Sequence, residues 1–484
     1  MKKLWMTGFC ILSLLTACNS ERAAEWVMTT PDAAWQKQDV KEITFVNSEE
    51  PDVTIHVEHP GQDIEGFGAC FNELGWTSLS LLSEADRNSV MRELFAPGVG
   101  ANLTVCRMPI AANDFSRDWY SYNETDGDFE MKHFSIANDR ETLIPFIKEA
   151  LKYTPDLRLW ASPWSPPTWM KDNKHYACQP LDTSFFDNVG QNGIRPDQVR
   201  REGMNMFIQK DAYFKAYALY FARFIEAYRA EGISIAMVMP QNEFNSCQPF
   251  PSCTWLPSGL ATFIGKHLGP KMKELGVELM FGTMERPTPA LVDTILTNPD
   301  SGKYLTGAGF QWAGKKSLPD IHKRYPGLRI YQTEQECGDG RNDWEGCTYS
   351  WDLMKHYFKH GTNVYDYWNI SLEKGGMSRW GWTQNSLVVV DKEERTYNYT
   401  YEYYLLKHAS HYVLPGARFL PLSGQFTDLL AFRNPDGKYV LIVHNNQNTV
   451  TTRVVKIGDK YVSLKLQPQS FNTVVLSLNH KNYA

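Results

Sequence analysis

The chain has 484 residues, of which 43% are hydrophobic and 21% charged, a globular composition that excludes a disordered or fibrous protein. The formal net charge is −6, from 49 Lys and Arg against 55 Asp and Glu. This balance argues against nucleic acid as the main partner, because phosphate neutralisation needs concentrated Lys and Arg. Aromatic residues reach 13%, with 15 Trp, which favours either a carbohydrate ligand or a large aromatic core.

The first residues have the pattern of an export signal. A basic start precedes a mostly apolar run, residues 4–15, that is shorter than the roughly 20 residues of a transmembrane helix. Leu15-Thr16-Ala17-Cys18 then resembles a bacterial lipobox, so we predict that residues 1–17 are removed and that Cys18 is lipidated. An ordinary signal peptide with a chance cysteine is the alternative. Asn19 implies, by the same resemblance, a lipid anchor in the outer membrane, on the cell surface or the periplasmic face.

Seven cysteines remain once Cys10 and Cys18 are set aside, so at least one is unpaired if the others bond. Cys247 with Cys253, and Cys337 with Cys347, are candidate disulfides in an oxidising compartment. The Cys and His spacings are not those of a zinc site, and we expect neither a metal nor an organic cofactor.

The elements change character twice along the chain. Residues 18–40 are polar and turn-rich, which predicts the lipidated cysteine and a tether, and residues 41–61 hold two alternating segments typical of half-buried strands. Over residues 62–411, short apolar runs alternate with amphipathic stretches, which predicts a (β/α)₈ barrel. The predicted strands are 64–71, 103–109, 157–163, 235–243, 277–283, 307–312, 328–334 and 364–370, and the helices include 83–94, 140–152, 211–230, 257–275, 289–297 and 348–360.

The competing arrangement is a doubly wound open sheet, but Gly66-Phe67-Gly68 lacks the third glycine of its phosphate-binding turn. Residues 412–484 lose the helical period and show five short strands separated by turns. They predict a small antiparallel β-sandwich domain, which the strands of residues 41–61 join. The predicted strands of this domain are 429–433, 439–445, 451–457, 461–466 and 470–476.

Two glutamates end predicted barrel strands. Glu243 ends the fourth strand and Glu334 the seventh, and the 91 residues between them match the roughly 93 that three βα units span. Barrel chemistry lies at the C-terminal ends of the strands, where the fourth and seventh face each other. Two carboxyls about 5–5.5 Å apart suit a retaining glycosidase, with one protonated and one ionised. Glu336 is a rival nucleophile, since strand alternation points it the same way as Glu334.

Six sequence blocks occur in the order of a known family, glycoside hydrolase family 30, which includes lysosomal glucosylceramidase and β-1,6-glucanases. The chain resembles that family over roughly residues 60–480, and the resemblance implies a (β/α)₈ barrel with a β-sandwich built from both chain ends. The blocks are Gly66-Phe67-Gly68, Leu103-Thr-Val-Cys-Arg107-Met-Pro-Ile, Asp114-Phe-Ser, Ala161-Ser-Pro-Trp164-Ser-Pro-Pro-Thr-Trp169, Asn242-Glu243 and Thr333-Glu334.

The resemblance also implies roles for individual residues. Glu243 becomes the acid/base and Glu334 the nucleophile, while Arg107 orients the nucleophile and keeps it ionised. Asn242 is expected to hold the sugar 2-hydroxyl. The other residues assigned to substrate binding are Asp114, Trp164, Gln311, Trp312 and Trp368.

The chain departs from the family where specificity is concerned. Gln311-Trp312-Ala313 stands where glucosylceramidases carry His-Trp-Tyr, and Phe244 replaces the proline of the usual Asn-Glu-Pro. Residues 247–255 and 375–382 form aromatic, turn-rich loops that predict leaving-group subsites. We therefore predict a retaining β-glycoside hydrolase acting on a β-glucan, as an endo-β-1,6-glucanase. The alternatives are an exo-acting β-glucosidase, glucosylceramidase or β-xylosidase, and, in another class, a non-catalytic surface glycan-binding lipoprotein.

Overall fold

The computed structural model describes residues 22–47, 50–181 and 192–478. Cys18 and the predicted signal segment lie outside these residues. The strands in chain order are β1 (Arg22–Thr29), β2 (Gln36–Lys37), β3 (Thr44–Phe45), β4 (Val53–Ile55), β5 (Asp63–Ile64), β6 (Gly66–Cys70), β7 (Val105–Ile110), β8 (Arg158–Pro163), β9 (Ile235–Val238), β10 (Glu278–Met284), β11 (Leu305–Gln311), β12 (Ile330–Glu334), β13 (Thr362–Asn369), β14 (Ser371–Glu373), β15 (Val388–Asp391), β16 (Thr396–Tyr399), β17 (Ala417–Phe419), β18 (Leu422–Gly424), β19 (Leu429–Arg433), β20 (Tyr439–Asn445), β21 (Thr451–Ile457), β22 (Lys460–Leu466) and β23 (Ser470–Ser477).

The helices alternate with the strands of the central region. A single π-helical turn, Ile264–Leu268, joins α5 to α6, so the predicted helix 257–275 is continuous in space but not uniformly α-helical. The α-helices are α1 (Glu73–Leu79), α2 (Glu84–Phe95), α3 (Leu143–Leu151), α4 (Asp211–Ala230), α5 (Pro257–Phe263), α6 (Gly269–Leu275), α7 (Pro289–Leu296), α8 (Leu318–Arg324), α9 (Trp344–Lys359) and α10 (Tyr401–Ser410).

Strands β6 to β13 close into a barrel in chain order, and every neighbouring pair is parallel, which confirms the (β/α)₈ prediction. The strands are apolar because a parallel strand is covered on both faces, and all six residues of β7 are buried. Helix α4 buries Phe214, Tyr217, Phe221 and Tyr228, spaced three, four and seven residues apart, so a single stripe faces the barrel.

Two sheets form the sandwich: the larger is antiparallel throughout, and the smaller is mixed because β4 pairs parallel with β21. The larger has the order β2-β1-β23-β20-β19-β17-β5, and the smaller has the order β18-β4-β21-β22-β3. Their facing sides bury one apolar core, which includes Trp26, Ile55, Leu441 and Val462. Both chain ends contribute strands, as the resemblance implied.

The N-terminal prediction is wrong over residues 22–29. These residues form β1, which pairs antiparallel with β23, rather than a tether. Trp26 explains the difference, because its side chain is buried in the sandwich core and its indole N–H donates to Asn472 Oδ1 at 3.0 Å. Val27 and Thr29 are buried as well, so burial of these side chains and pairing with β23 fix the strand. Within the described residues, no helix has the length and apolar character of a membrane span.

Candidate active site

The two glutamates lie together at the C-terminal mouth of the barrel, in one cleft of about 800 Å³. Glu334 is the last residue of β12, as predicted. The fourth strand, however, ends at Val238 rather than at Glu243. Glu243 adopts a left-handed backbone with φ of 48°, which a continuing strand does not allow. Its N–H donates to Thr283 Oγ1 at 2.9 Å, so the end of β10 fixes the conformation.

Gln311, the last residue of β11, joins the two carboxyl groups. Its Nε2 lies 3.2 Å from Glu243 Oε1 and 3.2 Å from Glu334 Oε2. Those two oxygens are therefore no farther apart than twice that distance. This upper limit lies below the roughly 6.5–9.5 Å that inverting enzymes leave for a water, so it is compatible with the shorter spacing of a retaining enzyme. The amide of Gln311 thereby contacts both carboxyl groups at once.

The carboxylate of Glu334 accepts hydrogen bonds from a charged guanidinium and from an indole N–H. Arg107 Nη1 donates to its Oε2 at 2.8 Å, and the Trp312 indole donates to Oε1 at 2.7 Å. Burial raises the pKa of Glu334 above its ordinary value, and the Arg107 charge and these hydrogen bonds oppose that rise. Both oxygens accept from donors, which stabilises the ionised form.

Arg107 is itself held from several sides. It is fully buried, and its Nη2 donates to Ser162 Oγ at 2.9 Å and to Asn242 Oδ1 at 2.7 Å. The guanidinium carbon also lies near the faces of three tryptophans, so its position is set by both hydrogen bonds and cation–π contact. The ring centroids lie at 4.9 Å for Trp160, 4.3 Å for Trp164 and 5.5 Å for Trp368.

Glu243 has different surroundings. Its donors are two neutral amides, Gln311 Nε2 on Oε1 and Gln248 Nε2 on Oε2 at 3.1 Å. Burial raises the pKa of Glu243 well above its ordinary value, and the negative charges of Glu285 and Glu334 raise it further. These surroundings favour the proton of the pair on Glu243 over Glu334, as a general acid at Glu243 requires.

Glu336 does not enter the cleft. Its carboxylate forms an ion pair with Lys315 and accepts a hydrogen bond from the Tyr349 hydroxyl, outside the cleft. The chain leaves the strand at Glu334, so the period-two alternation that made Glu336 a rival nucleophile does not continue. Glu334, and not Glu336, lines the cleft together with Glu243.

The other predicted binding residues cluster around this pair. The Asn242 Oδ1 accepts from Arg107, Thr283 and Gln311, which orients the amide nitrogen as a donor for a substrate hydroxyl. Asp114 lines the cleft, and its buried Oδ1 has no hydrogen-bond partner within the described ranges. A ligand hydroxyl would satisfy such an acceptor.

Trp164 and Trp368 are placed deeper than an exposed sugar platform would be. They stack on each other at 5.5 Å and are 1% and 0% exposed, beneath Arg107. Their contact with Arg107 is direct, whereas a contact with substrate stays a prediction.

Several residues of the site were missed by the sequence analysis. Gln248 lies in the loop predicted as a leaving-group subsite, and only the fold shows that it reaches Glu243. Glu285 and Arg286 line the same cleft just beyond β10. The sequence could have indicated both residues. They follow the predicted fifth strand, which ends at residue 283, and polar residues that follow a barrel strand lie at the mouth. Ser162 stands in the Ala161-Ser-Pro-Trp164 block, but that block did not reveal its contact with Arg107, and Thr283 has no distinguishing pattern.

The predicted disulfides are wrong. Cys178 is bonded to Cys247, with Cα atoms 5.3 Å apart, so the bridge joins the loop after β8 to the loop after β9. Sequence proximity suggested Cys253 as the partner, but Cys253 is buried elsewhere. The cysteines that remain unbonded in the described part of the chain are Cys70, Cys106, Cys253, Cys337 and Cys347.

Aromatic residues of two loops meet at the edge of the cleft. Phe250, after β9, and Trp382, after β14, both line it, with ring centroids 4.9 Å apart. These are the two loops in which the sequence predicted leaving-group subsites. Over residues 22–47, 50–181 and 192–478, no group of three or more His, Cys, Asp or Glu is arranged to hold a metal ion.

The chain is similar in sequence and fold to several known proteins. The lysosomal acid glucosylceramidase of Mus musculus is 26% identical over 425 residues, covering 82% of this chain and 77% of the relative. The endo-1,6-β-D-glucanase neg1 of Aspergillus fumigatus is 25% identical over 447 residues, covering 86% and 85%. The crystal structure of SrfJ from Salmonella typhimurium shares the fold, with a TM-score of 0.82, 22% identity, and coverage of 94% of this chain and 99% of that one.

Two family models match the two parts of the molecule. The glycosyl hydrolase family 30 TIM-barrel domain matches residues 64–183 and 196–413, and the glycosyl hydrolase family 30 β-sandwich domain matches residues 423–474. The barrel match covers well over half of the chain, and both catalytic carboxyls of the predicted mechanism lie within it. The protein is therefore a glycoside hydrolase and belongs to glycosyl hydrolase family 30.

Proposed function

We propose that this protein is a retaining endo-β-1,6-glucanase that works by double displacement. The observation that carries the proposal is the unequal pair of carboxyls bridged by Gln311: Glu334 contacts a buried cation, and Glu243 accepts from two neutral amides. These contacts support an ionised nucleophile and a protonated acid in one cleft, as a retaining enzyme requires.

In the first step, a Glu334 oxygen attacks the anomeric carbon while the glycosidic C–O bond breaks and the leaving oxygen takes the proton of Glu243. In the second step, the Glu243 carboxylate removes a proton from water, and the water oxygen displaces Glu334 from the anomeric carbon. Asn242 Nδ2 is positioned to bind the 2-hydroxyl in both steps, where such a bond strengthens at the transition state.

The cleft favours a neutral polymer. It is lined by Asp114, Glu243, Glu285 and Glu334, and Arg286, the lining arginine, is already paired with Glu285. A uronic acid on the substrate would be repelled there. Phe250 and Trp382 extend the cleft beyond the carboxyl pair, where a further sugar can stack. The fungal relative named as an endo-1,6-β-D-glucanase supports the linkage.

Product analysis tests the proposal. The purified protein is incubated with linear β-1,6-glucan, β-1,3-glucan, xylan and an aryl β-glucoside, and the products are followed by NMR and chromatography. Early gentiooligosaccharides in the β configuration support an endo-acting retaining β-1,6-glucanase. Glucose from the aryl glucoside alone supports the exo-acting β-glucosidase alternative, and xylose release supports β-xylosidase. A first-formed α product contradicts retention.

We also propose that Cys18 carries a lipid and anchors the enzyme in the outer membrane, on the surface or the periplasmic face. The lipobox-like sequence supports this, and so does the Cys178–Cys247 bond, since disulfides persist in oxidising compartments such as the cell envelope. Incorporation of labelled palmitate by the wild type, but not by Cys18→Ser, is the expected result. An unlabelled wild type found in the soluble fraction contradicts the anchor.

A further inference from the structure

Glu285 is a third glutamate beside the catalytic pair, and the mechanism above does not use it. It follows β10, lines the cleft with Glu243 and Glu334, and is only 6% exposed. A buried carboxylate is costly unless a partner compensates its charge, so its presence at this position calls for a role.

Two reciprocal hydrogen bonds place Glu285 next to Glu243. The Glu243 N–H donates to Thr283 Oγ1 at 2.9 Å, and the Glu285 N–H donates to Asn245 Oδ1 at 3.3 Å. Each glutamate backbone is thus bound to a side chain two residues away from the other glutamate. The ends of the fourth and fifth barrel segments are thereby joined, and both carboxyls are directed into the same cleft.

Arg286 pairs with Glu285 and favours its charged form. Its Nη1 lies 2.7 Å from Glu285 Oε1 and 2.6 Å from Oε2, and its Nη2 lies 2.8 Å from Glu202 Oε1. Burial raises the pKa of Glu285, and the Arg286 charge opposes that rise. Of the three glutamates in the cleft, Glu334 and Glu285 each contact an arginine, whereas Glu243 contacts none within the described residues.

We propose that Glu285, held by Arg286, is a positioning residue that keeps the proton on Glu243 and thereby sets the alkaline limit of activity. The inference rests on the proposed roles of Glu243 and Glu334. The charged or titratable groups that act on Glu243 or Glu285 are Glu285, Arg286 and Glu202 on the fifth-strand side, Glu334 at the end of β12, and Asp114 after β7.

The second displacement step gives Glu285 a distinct task. When Glu334 is esterified to the sugar it loses its charge, so it no longer raises the pKa of Glu243. Glu285 is not consumed and continues to raise it. Glu243 then remains a stronger base toward the attacking water than it would be without this neighbour.

The pH dependence of kcat/KM on an unactivated β-glucan oligosaccharide tests the inference. Removing the negative charge lowers the pKa of Glu243, so Glu285→Gln moves the alkaline limb down by roughly one pH unit. Glu285→Asp retains the charge and is expected to keep the limb close to that of the wild type. Glu226→Gln, an exposed substitution of the same charge on helix α4, is the matched control and leaves the profile unchanged.

Other outcomes overturn the inference. A Glu285→Gln enzyme that loses activity equally at every pH shows a purely structural residue, and an alkaline limb at the wild-type pH shows no charge effect. Glu285→Ser is a second neutral variant if Glu285→Gln does not fold. Failure of the proposed function looks different: the wild type then hydrolyses no glycoside, or Glu243→Gln keeps full activity.

Discussion

The two sides of the cleft hold the same residue type in opposite surroundings. On the side of Glu334, a buried arginine and an indole N–H stabilise the carboxylate. On the side of Glu243, two neutral amides and a neighbouring negative charge favour the protonated form. In the proposed mechanism, the partners of each carboxyl, and not the residue type, distinguish the nucleophile from the acid.

The largest effect is expected on the arginine side. Glu334→Gln removes the nucleophile with little change of shape, so kcat/KM on β-glucan falls by at least about 10⁴-fold. Glu336→Gln, the same substitution two residues later, is the matched control and retains activity, because Glu336 is bound to Lys315 and Tyr349 outside the cleft. Steady-state kinetics of both variants are the measurement. Equal losses would contradict the assignment of Glu334.

A smaller and substrate-dependent effect is expected on the amide side. Glu243→Ala removes the acid, so kcat/KM falls about 10³-fold on the polymer. A dinitrophenyl β-glycoside needs no protonation of its leaving group, so its first step is largely spared. Azide added to Glu243→Ala should give a β-glycosyl azide, which NMR identifies. An α-glycosyl azide would reverse the two assignments.

Removing the cation should make the two sides more alike. Arg107→Met leaves Glu334 buried without its charge partner, so its pKa rises and the acid limb of the kcat/KM profile moves to higher pH. Activity falls about 10²-fold near neutral pH, and the free energy of unfolding falls by about 3–5 kcal/mol. Arg107→Lys keeps the charge and should keep the acid limb in place. The pH profiles and urea denaturation check both expectations.

The smallest effect on catalysis is expected from removing the Cys178–Cys247 disulfide, which lies next to Gln248 in the chain. Replacing Cys178 and Cys247 by serine loosens the loop on the Glu243 side, so kcat/KM falls a few-fold. The free energy of unfolding falls by about 2–4 kcal/mol. A reductant should reproduce both changes in the wild type and leave the double variant unaffected, and urea denaturation measures the difference. A wild type insensitive to reductant would contradict this account.

The sequence by itself determined the barrel and the presence of two carboxyls at its mouth. Apolar runs buried on both faces mark parallel strands, and the spacing of Glu243 and Glu334 follows from three βα units of ordinary length. Both are properties of local pattern and chain length, so they need no knowledge of distant contacts.

Tertiary structure alone decided the details that divide the roles. The strand formed by Arg22–Thr29, the Cys178–Cys247 bond and the turn of Glu336 toward Lys315 each depend on residues far away in the chain. The bridging position of Gln311 and the neighbouring charge of Glu285 arise because the barrel closes and brings separate strand ends to one mouth. A sequence pattern indicates which residues are buried and which secondary structure they form. These contacts, in contrast, depend on how the closed sheet brings distant residues together.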